Sequence, residues 1–358
     1  MLRSPVGNRL TVALVSVLLF GSVAACGSGS ESPATATGAG TTSGSAAPAA
    51  GAFPVTIEHK FGATTIKSEP KRIVTVGLTD QDAVLALGKV PVGTTDWVGG
   101  YAGAIGPWAA GKLNGAATPT MMKDTGTGPQ VEKIAALAPD LILALYAGLT
   151  KEQYATLSKL APVVAQPKQY NDYGIPWQEQ TTTIGKALGK EAEGKKLVED
   201  VEAEFAAVRK EHPEFAGTTA VVATPWEGFF VYGSQDPRSR TLTSLGFALP
   251  SDLDKVIGDQ FGASISKERG DLLDQDAIVW TVPDTAKDSA KLHGDKLYKD
   301  LNVVKQGREV FLAETSDYGK AFSFVTVLSL PYVIERLVPQ LAAAVDGDTA
   351  TKVAEPTS

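Results

Sequence analysis

The chain has 358 residues, with 33 lysines and arginines against 40 aspartates and glutamates, which gives a formal net charge of -7 at pH 7. This acidic balance, without any lysine- or arginine-rich run, excludes nucleic acid as the expected partner. The single cysteine excludes an intramolecular disulfide, so the hydrophobic core must hold the fold. The length suffices for one large domain or two medium ones.

The first 26 residues read as a targeting signal. Arg3 and Arg9 make a basic start, an apolar run over residues 10–20 follows, and small residues lead to Cys26. The run is shorter than the about 20 apolar residues that a membrane span needs, so it predicts a signal peptide over residues 1–25. The pattern resembles the lipobox of bacterial lipoproteins, which implies cleavage before Cys26 and lipid attachment to its thiol. The alternative is an ordinary secretory signal with a chance cysteine.

Both ends of the mature chain are predicted to be disordered. Residues 26–52 are almost entirely Gly, Ser, Thr, Ala and Pro, a composition that predicts a flexible tether, and residues 347–358 are expected to form a disordered tail. Order is expected from Phe53, where a β-hairpin is predicted around a turn at Gly62 and Ala63. With no second long apolar run, the lipid anchor alone would hold the body at the outer face of the cytoplasmic membrane.

Strands and helices alternate through the body, which predicts an α/β protein with parallel sheets covered by helices. One unit of helix, acidic residue and strand occurs twice. In both copies a glutamate precedes an aspartate by eight residues: Glu132 and Asp140 in the first, Glu268 and Asp276 in the second. This repeat predicts two lobes built on related plans.

A long helix is predicted between the two lobes, over residues 190–213. Lysine and glutamate fill most of its faces, while apolar residues recur at helical spacing on one side. Those apolar residues are Leu197, Val198, Val201, Phe205 and Val208. The helix would join an N-terminal lobe at residues 53–189 to a C-terminal lobe at residues 214–346.

Several segments, in the right order, resemble the Fe/B12-type substrate-binding proteins of ABC importers. The matching segments are residues 70–75, 82–88, 91–93, 131–142, 160–164, 184–189 and 328–332. The resemblance covers about residues 53–345 and implies two Rossmann-like lobes joined by a single long α-helix, with the ligand between them. It also implies a monomer that binds without catalysis and delivers its ligand to an ABC permease and its ATPase. Members of this family dock through one acidic residue per lobe, and the matching positions are Glu132 and Glu268.

Candidate ligand-binding residues lie in the segments that follow strands, because ligands of open α/β sheets bind beyond the carboxyl ends of the strands. Every tryptophan except Trp280 is predicted to lie in a loop, which favours a broad and partly apolar ligand. The candidates are Thr79, Asp80, Trp97, Tyr101, Trp108, Tyr146, Trp177, Trp226, Tyr232, Arg238, Arg240, Tyr318 and Phe322.

Charge narrows the ligand class. A ferric tris-catecholate carries several negative charges and needs several convergent arginines, whereas only Arg238 and Arg240 stand in the candidate segments. A ferric hydroxamate or mixed-type siderophore is therefore favoured as the ligand, and no intrinsic cofactor is expected. The three histidines share no ligand spacing, which argues against direct metal binding.

Three alternatives stay open at this point. Haem is one, since Tyr101, Tyr146, Tyr232 or Tyr318 would offer a phenolate to iron, and cobalamin is another. The third is a lipid-anchored interaction protein that keeps the fold without transporting anything. An enzyme is not expected, because the body contains neither a Gly-x-Ser-x-Gly motif nor a phosphate-binding loop, and a helix N-cap accounts for Asp80 and Asp82.

Overall fold

The computed structural model describes residues 51–96, 100–123 and 126–355. The predicted signal peptide, Cys26, almost all of the tether and Trp97 lie outside these ranges. The first described elements are the strands β1 (Val55–His59) and β2 (Gly62–Ile66), which pair antiparallel with His59 opposite Gly62. The hairpin therefore turns at Lys60 and Phe61, two residues earlier than predicted, and Gly62 and Ala63 belong to the second strand.

A five-stranded parallel sheet forms the centre of the N-terminal lobe, in the order β5-β4-β3-β6-β7. Its strands are β3 (Ile73–Thr75), β4 (Gly93–Asp96), β5 (Thr120–Lys123), β6 (Leu141–Ala144) and β7 (Val163–Ala165). The helices of this lobe are α1 (Asp80–Ala86), α2 (Pro107–Ala110), α3 (Val131–Ala136), α4 (Lys151–Leu157) and α5 (Trp177–Ala187). Strands buried on both faces, as β3 and β6 are, are typical of parallel sheets.

The C-terminal lobe contains a second five-stranded sheet, in the order β10-β9-β8-β11-β12, in which β9 runs antiparallel to its neighbours. Its strands are β8 (Ala220–Thr224), β9 (Phe229–Tyr232), β10 (Gly262–Ile265), β11 (Ala277–Val282) and β12 (Glu309–Ala313). The helices after Glu211 are α7 (Pro237–Leu245), α8 (Leu253–Ile257), α9 (Thr285–Gly294), α10 (Asn302–Lys305), α11 (Asp317–Ser323) and α12 (Ser329–Ala344). The α/β prediction with two lobes is confirmed. The helix of the second repeated unit, which contains Glu268, is a 3-10 helix, Lys267–Leu272.

One helix, α6 (Glu191–Glu211), runs between the two sheets. Its 21 residues span about 32 Å at about 1.5 Å per residue. It buries Val201, Phe205 and Val208, a stripe at helical spacing, and leaves its charged faces to solvent. It crosses α5 at Gly185 and Gly194, where a Cβ built on either glycine would lie within 3.3 Å of the other helix's backbone. The backbones therefore touch with no side chain between them.

A carboxylate braces the amino edge of each sheet at equivalent positions. Asp140, just before β6, accepts hydrogen bonds from the backbone N–H groups of Lys71 and Arg72, just before β3. Asp276, just before β11, accepts from the backbone N–H and the hydroxyl of Thr219, just before β8. The repeated aspartate in the sequence thus has one structural role in both lobes, which is to fix the spacing of the two central strands.

The described part of the C-terminal segment, up to residue 355, packs against the body, whereas the sequence predicts a disordered tail from residue 347. Val353 packs against the main hydrophobic core, and the carbonyl of Ala354 accepts a hydrogen bond of 2.9 Å from the side chain of Gln340 on α12. Asp346 accepts from the hydroxyl of Thr351 at 2.6 Å, which folds the intervening residues into a compact turn. An apolar residue within a polar, Pro-containing end was enough to dock it.

Two aspartates at the start of α1 are fully buried and tie the fold together. Asp80 accepts from the backbone N–H of Leu145 at 2.9 Å and from the side chain of Gln180 at 2.7 Å. Asp82 accepts from the indole of Trp108 at 2.8 Å and from the hydroxyl of Thr326 at 2.6 Å, which links the two lobes. Burial is the main cause that raises the pKa of each carboxyl to about 6, although these hydrogen bonds oppose the rise.

Gly77 is predicted to be essential for the position of Asp80. A Cβ at Gly77 would lie 2.0 Å from a carboxylate oxygen of Asp80, so Gly77→Ala must displace that side chain and its hydrogen bonds. We expect a loss of about 1–3 kcal/mol in the free energy of unfolding, measured by chemical denaturation. Gly111→Ala is the matched control: it has helical dihedral angles and nothing near its Cβ, so its stability should be unchanged or slightly higher. Equal stability of the two variants would contradict the assignment.

The buried carboxyl of Asp82 predicts a pH dependence of stability. Its pKa rises from 3.8 to about 6 on folding, so the folded state holds the proton more tightly and loses stability as pH rises through that window. Asp82→Asn removes the titration. Relative to this variant, the wild type should lose up to about 3 kcal/mol of unfolding free energy between about pH 4 and about pH 7. Denaturation curves for both proteins at the two pH values measure the difference, and a pH-independent difference would contradict the buried carboxyl.

Candidate ligand site between the lobes

The loops at the carboxyl edges of the two sheets meet. On one flank, the hydroxyl of Tyr101, beyond β4, donates a hydrogen bond of 2.5 Å to Asp317, beyond β12. Lys320 also lies 4.5 Å from the centre of the Tyr101 ring. On the other flank, the side-chain amide of Asn171 donates to the carbonyl of Asp259. The cleft is therefore bounded by direct contacts between the lobes on two sides.

The N-terminal face of the cleft contains a cavity of about 190 Å³. Its lining residues lie at or beyond the carboxyl ends of the strands of the N-terminal sheet, and they include Leu78, Thr95, Lys123, Gly148 and Tyr173. None of the predicted ligand residues that lie in the described ranges lines it. Tyr173 has a positive φ of 63°, a conformation unusual for a tyrosine, and its ring packs edge-on against Tyr146. The sequence Asn-Asp-Tyr-Gly at residues 171–174 is typical of a turn, and this pattern could have indicated the unusual backbone at Tyr173.

Four predicted residues come together in one polar and aromatic cluster at the lobe junction. We call Tyr146, Tyr232, Asp236, Arg238 and Arg240 the arginine cluster. The guanidinium of Arg238 donates to both carboxylate oxygens of Asp236, at 2.8 and 3.0 Å, and lies 4.1 Å from the centre of the Tyr232 ring. Desolvation raises the pKa of Asp236 despite its ion pair with Arg238. Desolvation is also the main cause that raises the pKa of Tyr146, with the charge of Asp236 second.

Arg240 joins the two lobes within the arginine cluster. It donates a hydrogen bond of 2.7 Å to the carbonyl of Gly174 and lies 5.9 Å from the centre of the Tyr170 ring. A cavity of about 10 Å³ remains beside it, next to Tyr146 and Trp177. That volume is about the least that one water molecule needs, so a large ligand requires the lobes to separate here.

The tryptophans are placed differently from the prediction. Trp226 is 64% exposed in the turn between β8 and β9, beyond the carboxyl end of β8. The prediction that Trp108 and Trp177 lie in loops is wrong, because Trp108 is in α2 and Trp177 is the first residue of α5. Both helices begin beside a proline, whose fixed φ favours a helix start. Trp177 is buried, and Trp97 lies outside the described residues.

Four other candidates face the interior of the protein and are not part of the candidate site. Thr79 and Asp80 both accept hydrogen bonds from Gln180, so their polar atoms are already engaged in the core. Tyr318 points towards α12, where its hydroxyl donates to Gln340 at 2.9 Å. Phe322 is 0% exposed within the main core. The sequence places all four after strands, but it does not show towards which layer each side chain turns.

Glu132 and Glu268 are both exposed, in the first turn of α3 and of the 3-10 helix Lys267–Leu272. Neither makes a hydrogen bond or an ion pair that the structure records among the described residues. Each lies near a helix start, where the partial positive charge of the helix favours a carboxylate. Their equivalent positions leave two acidic side chains available on the surface, one on each lobe.

Within the described ranges, no group of three or more histidine, cysteine, aspartate or glutamate side chains is arranged to hold a metal ion. In the same part of the chain, no helix combines the length and apolar character needed to cross a bilayer.

Comparisons with known proteins agree with this architecture. A periplasmic solute binding protein of Mycobacterium smegmatis, known from its crystal structure, is 35% identical, with a TM-score of 0.71, and the match covers 81% of this chain and 98% of that one. PiaA of Streptococcus pneumoniae, solved in complex with ferrichrome, is 30% identical with a TM-score of 0.72, over 82% and 99% of the two chains. The Fe(3+)-citrate-binding protein YfmC of Bacillus subtilis is 28% identical over 253 residues, 70% of this chain and 76% of its own. The family described as periplasmic binding protein matches residues 73–314, more than half of the chain, and the protein therefore belongs to that family.

Proposed function

We propose that this protein is the lipid-anchored substrate-binding component of an ABC importer, which captures a ferric siderophore and delivers it to the permease and its ATPase. The observation that carries the proposal is the meeting of two sheet edges, each bearing aromatic side chains, at a junction that contains two arginines. The resemblance to PiaA, solved with ferrichrome, and to YfmC, named for Fe(3+)-citrate, supports an iron chelate as the ligand. Neither relative supports haem or cobalamin, so these alternatives are not carried further.

The charge of the cleft favours a hydroxamate or mixed-type siderophore. Asp236 already neutralises Arg238, which leaves fewer positive charges than a ferric tris-catecholate requires. Tyr101, Trp108, Tyr146 and Tyr232 supply aromatic surface around the junction. Trp226 adds an exposed indole beyond the carboxyl end of β8. Flat aromatic faces suit a bulky chelate whose charged oxygens are turned inwards towards iron.

We also propose the arrangement of the whole chain. The sequence supports a signal peptide over residues 1–25, a lipid on Cys26, a tether to residue 52 and a location at the outer face of the cytoplasmic membrane. The two sheets and α6 support a boundary between lobes at residues 190–213, with the body acting as a monomer without catalysis. The carboxylates of Asp80 and Asp82 are engaged in holding the fold, which supports a binding role rather than acid–base chemistry.

Binding should be detectable as quenching of tryptophan fluorescence by iron chelates. We expect ferrichrome to bind more tightly than a ferric tris-catecholate, because among the described residues of the cleft only one arginine lacks a carboxylate partner. Titration of the purified protein with both complexes, with ferric citrate and with the iron-free ligands as controls measures this order. Trp226→Phe should remove part of the quenching signal, since this indole is the most exposed of those described. Tightest binding of the tris-catecholate would refute the ligand class, and no binding of any iron complex would refute the function.

Glu132 and Glu268 are proposed to dock the loaded protein on the permease, one per lobe. The double variant Glu132→Arg, Glu268→Arg should abolish uptake of the radiolabelled iron complex by cells while leaving its affinity for the purified protein unchanged, because both side chains lie on the surface. The double variant Glu199→Arg, Glu211→Arg, on exposed positions of α6, makes the same change in charge and should transport normally. Normal uptake by the first variant would refute the docking role.

A further inference from the structure

The arginine cluster carries an inference about which iron complexes the site prefers, and it rests on the proposed function. We infer that Arg240 is a specificity-determining residue that selects ferric siderophores bearing a free carboxylate over neutral or cationic ones of the same chelate. The two arginines of the cluster differ in whether a carboxylate balances their positive charge.

Arg238 contributes no net charge to a ligand. Its guanidinium is held by both oxygens of Asp236, and both residues are more than nine-tenths buried, at 8% and 2% exposed. The Tyr232 and Phe324 rings lie against the guanidinium, with centres 4.1 and 5.4 Å away. One terminal nitrogen of the guanidinium contacts both carboxylate oxygens, so the charges of Arg238 and Asp236 balance each other within a buried ion pair.

Arg240 is different, because no carboxylate lies within ion-pair distance of it among the described residues. Its recorded partners are a backbone carbonyl, of Gly174, and the face of the Tyr170 ring. The carboxylate of Glu179 accepts hydrogen bonds from Tyr170 and Gln169 and forms no ion pair with Arg240 in the described part of the chain. A half-buried cation without a counter-ion is costly, so a ligand that brings an anion to this place gains more than a neutral one.

Two further polar atoms in the same segment point to a ligand. The Nε of Arg238 and the Oε1 of Gln235 are buried and have no hydrogen-bond partner in the described structure. Buried polar atoms of this kind are normally satisfied, and unsatisfied ones are rare enough to need an explanation. Gln235 lies close to Gly174, since a Cβ built on that glycine would be 3.1 Å from its Oε1. One unmet polar group thus lies beside the place where Arg240 reaches across to Gly174.

The chemistry of the chelate determines which anion is available. In a ferric hydroxamate the hydroxamate oxygens bind iron, and the ferric ion neutralises their negative charges. Only a pendant group outside the chelate therefore remains to interact with Arg240. A pendant carboxylate matches the planar guanidinium and would take the place of the Gly174 carbonyl as the acceptor. Because the cavity beside Arg240 is only about 10 Å³, this exchange requires residue 174 to move away from α7.

The test uses three forms of ferrioxamine B that differ only in the pendant group: the free ammonium, the neutral N-acetyl derivative and the anionic N-succinyl derivative. We expect the N-succinyl form to bind the full mature protein about tenfold more tightly than the N-acetyl form, the size of effect of one charge-assisted hydrogen bond. The ammonium form should bind most weakly. Arg240→Gln should bring all three affinities to within about twofold of one another, the loss expected when the charge is removed.

Two further variants distinguish an effect of the positive charge of Arg240 from an effect of its role in holding the structure. Arg240→Lys keeps the cation and should restore the order of affinities, whereas a purely structural role would leave Lys and Gln alike. Arg308→Gln, at the opposite edge of the sheet and paired with Asp276, is the control and should keep the wild-type order. Equal affinities of the wild type for the three forms, or an unchanged order in Arg240→Gln, would overturn the inference while leaving the proposed function intact. Failure to bind any of the three, and also ferrichrome and ferric citrate, would overturn both.

Discussion

The crossing of α5 and α6 at Gly185 and Gly194 is the contact on which the arrangement of the site depends. With no side chain between the two backbones, the first half of α6 is held against the N-terminal lobe as a single rigid piece. The same helix packs against α7 and α12 of the C-terminal lobe, and Arg209 near its end donates a hydrogen bond to the carbonyl of Ser244 in α7. The one connection between the sheets is therefore a stiff helix, and the shape of the cleft is set by what the two carboxyl edges bring together.

Those edges are held in place before any ligand arrives. Asp80 ties the start of α1 to the loop after β6, and Asp82 ties α1 to α2 and to the loop before α12. Burying two carboxyls is costly, and the fold offsets part of this cost with hydrogen bonds from backbone, indole and hydroxyl donors. As a result, the rim of the cleft is ordered, which reduces the conformational entropy lost when a ligand binds.

The sequence predicts the layers of this protein better than it predicts the site. Alternating strands and helices, the long helix and the repeated Glu-to-Asp spacing are local patterns, and the α/β fold with two sheets follows from them. The hairpin turn was misplaced because Gly62 suggested the turn, whereas its positive φ occurs at the start of β2. Trp108 lies in a short helix, and Trp177 is the first residue of its helix. Neither therefore stands inside a helical pattern that the sequence could reveal.

The sequence could not show which side chains far apart along the chain come into contact in the folded protein. The position of Asp236 beside Arg238 is local, yet its consequence appears only when Tyr232 and Phe324 close over the ion pair. Tyr173 and Gly174 belong to a connection that no periodicity describes, and they reach the site because the lobes meet there. Tyr318 and Phe322 follow a strand as ligand residues would, but the packing of α11 on α12 turns them inwards.

The braces made by Asp140 and Asp276 stand at the amino edges of the sheets, on the side away from the cleft. In each half of the molecule, the bonds that fix the spacing of the two central strands thus lie at the rim opposite the cleft. A substitution among the cleft residues therefore leaves these strand contacts untouched, and the spacing of the central strands does not depend on which ligand the cleft accepts. Such a separation makes the same scaffold adaptable to many iron carriers.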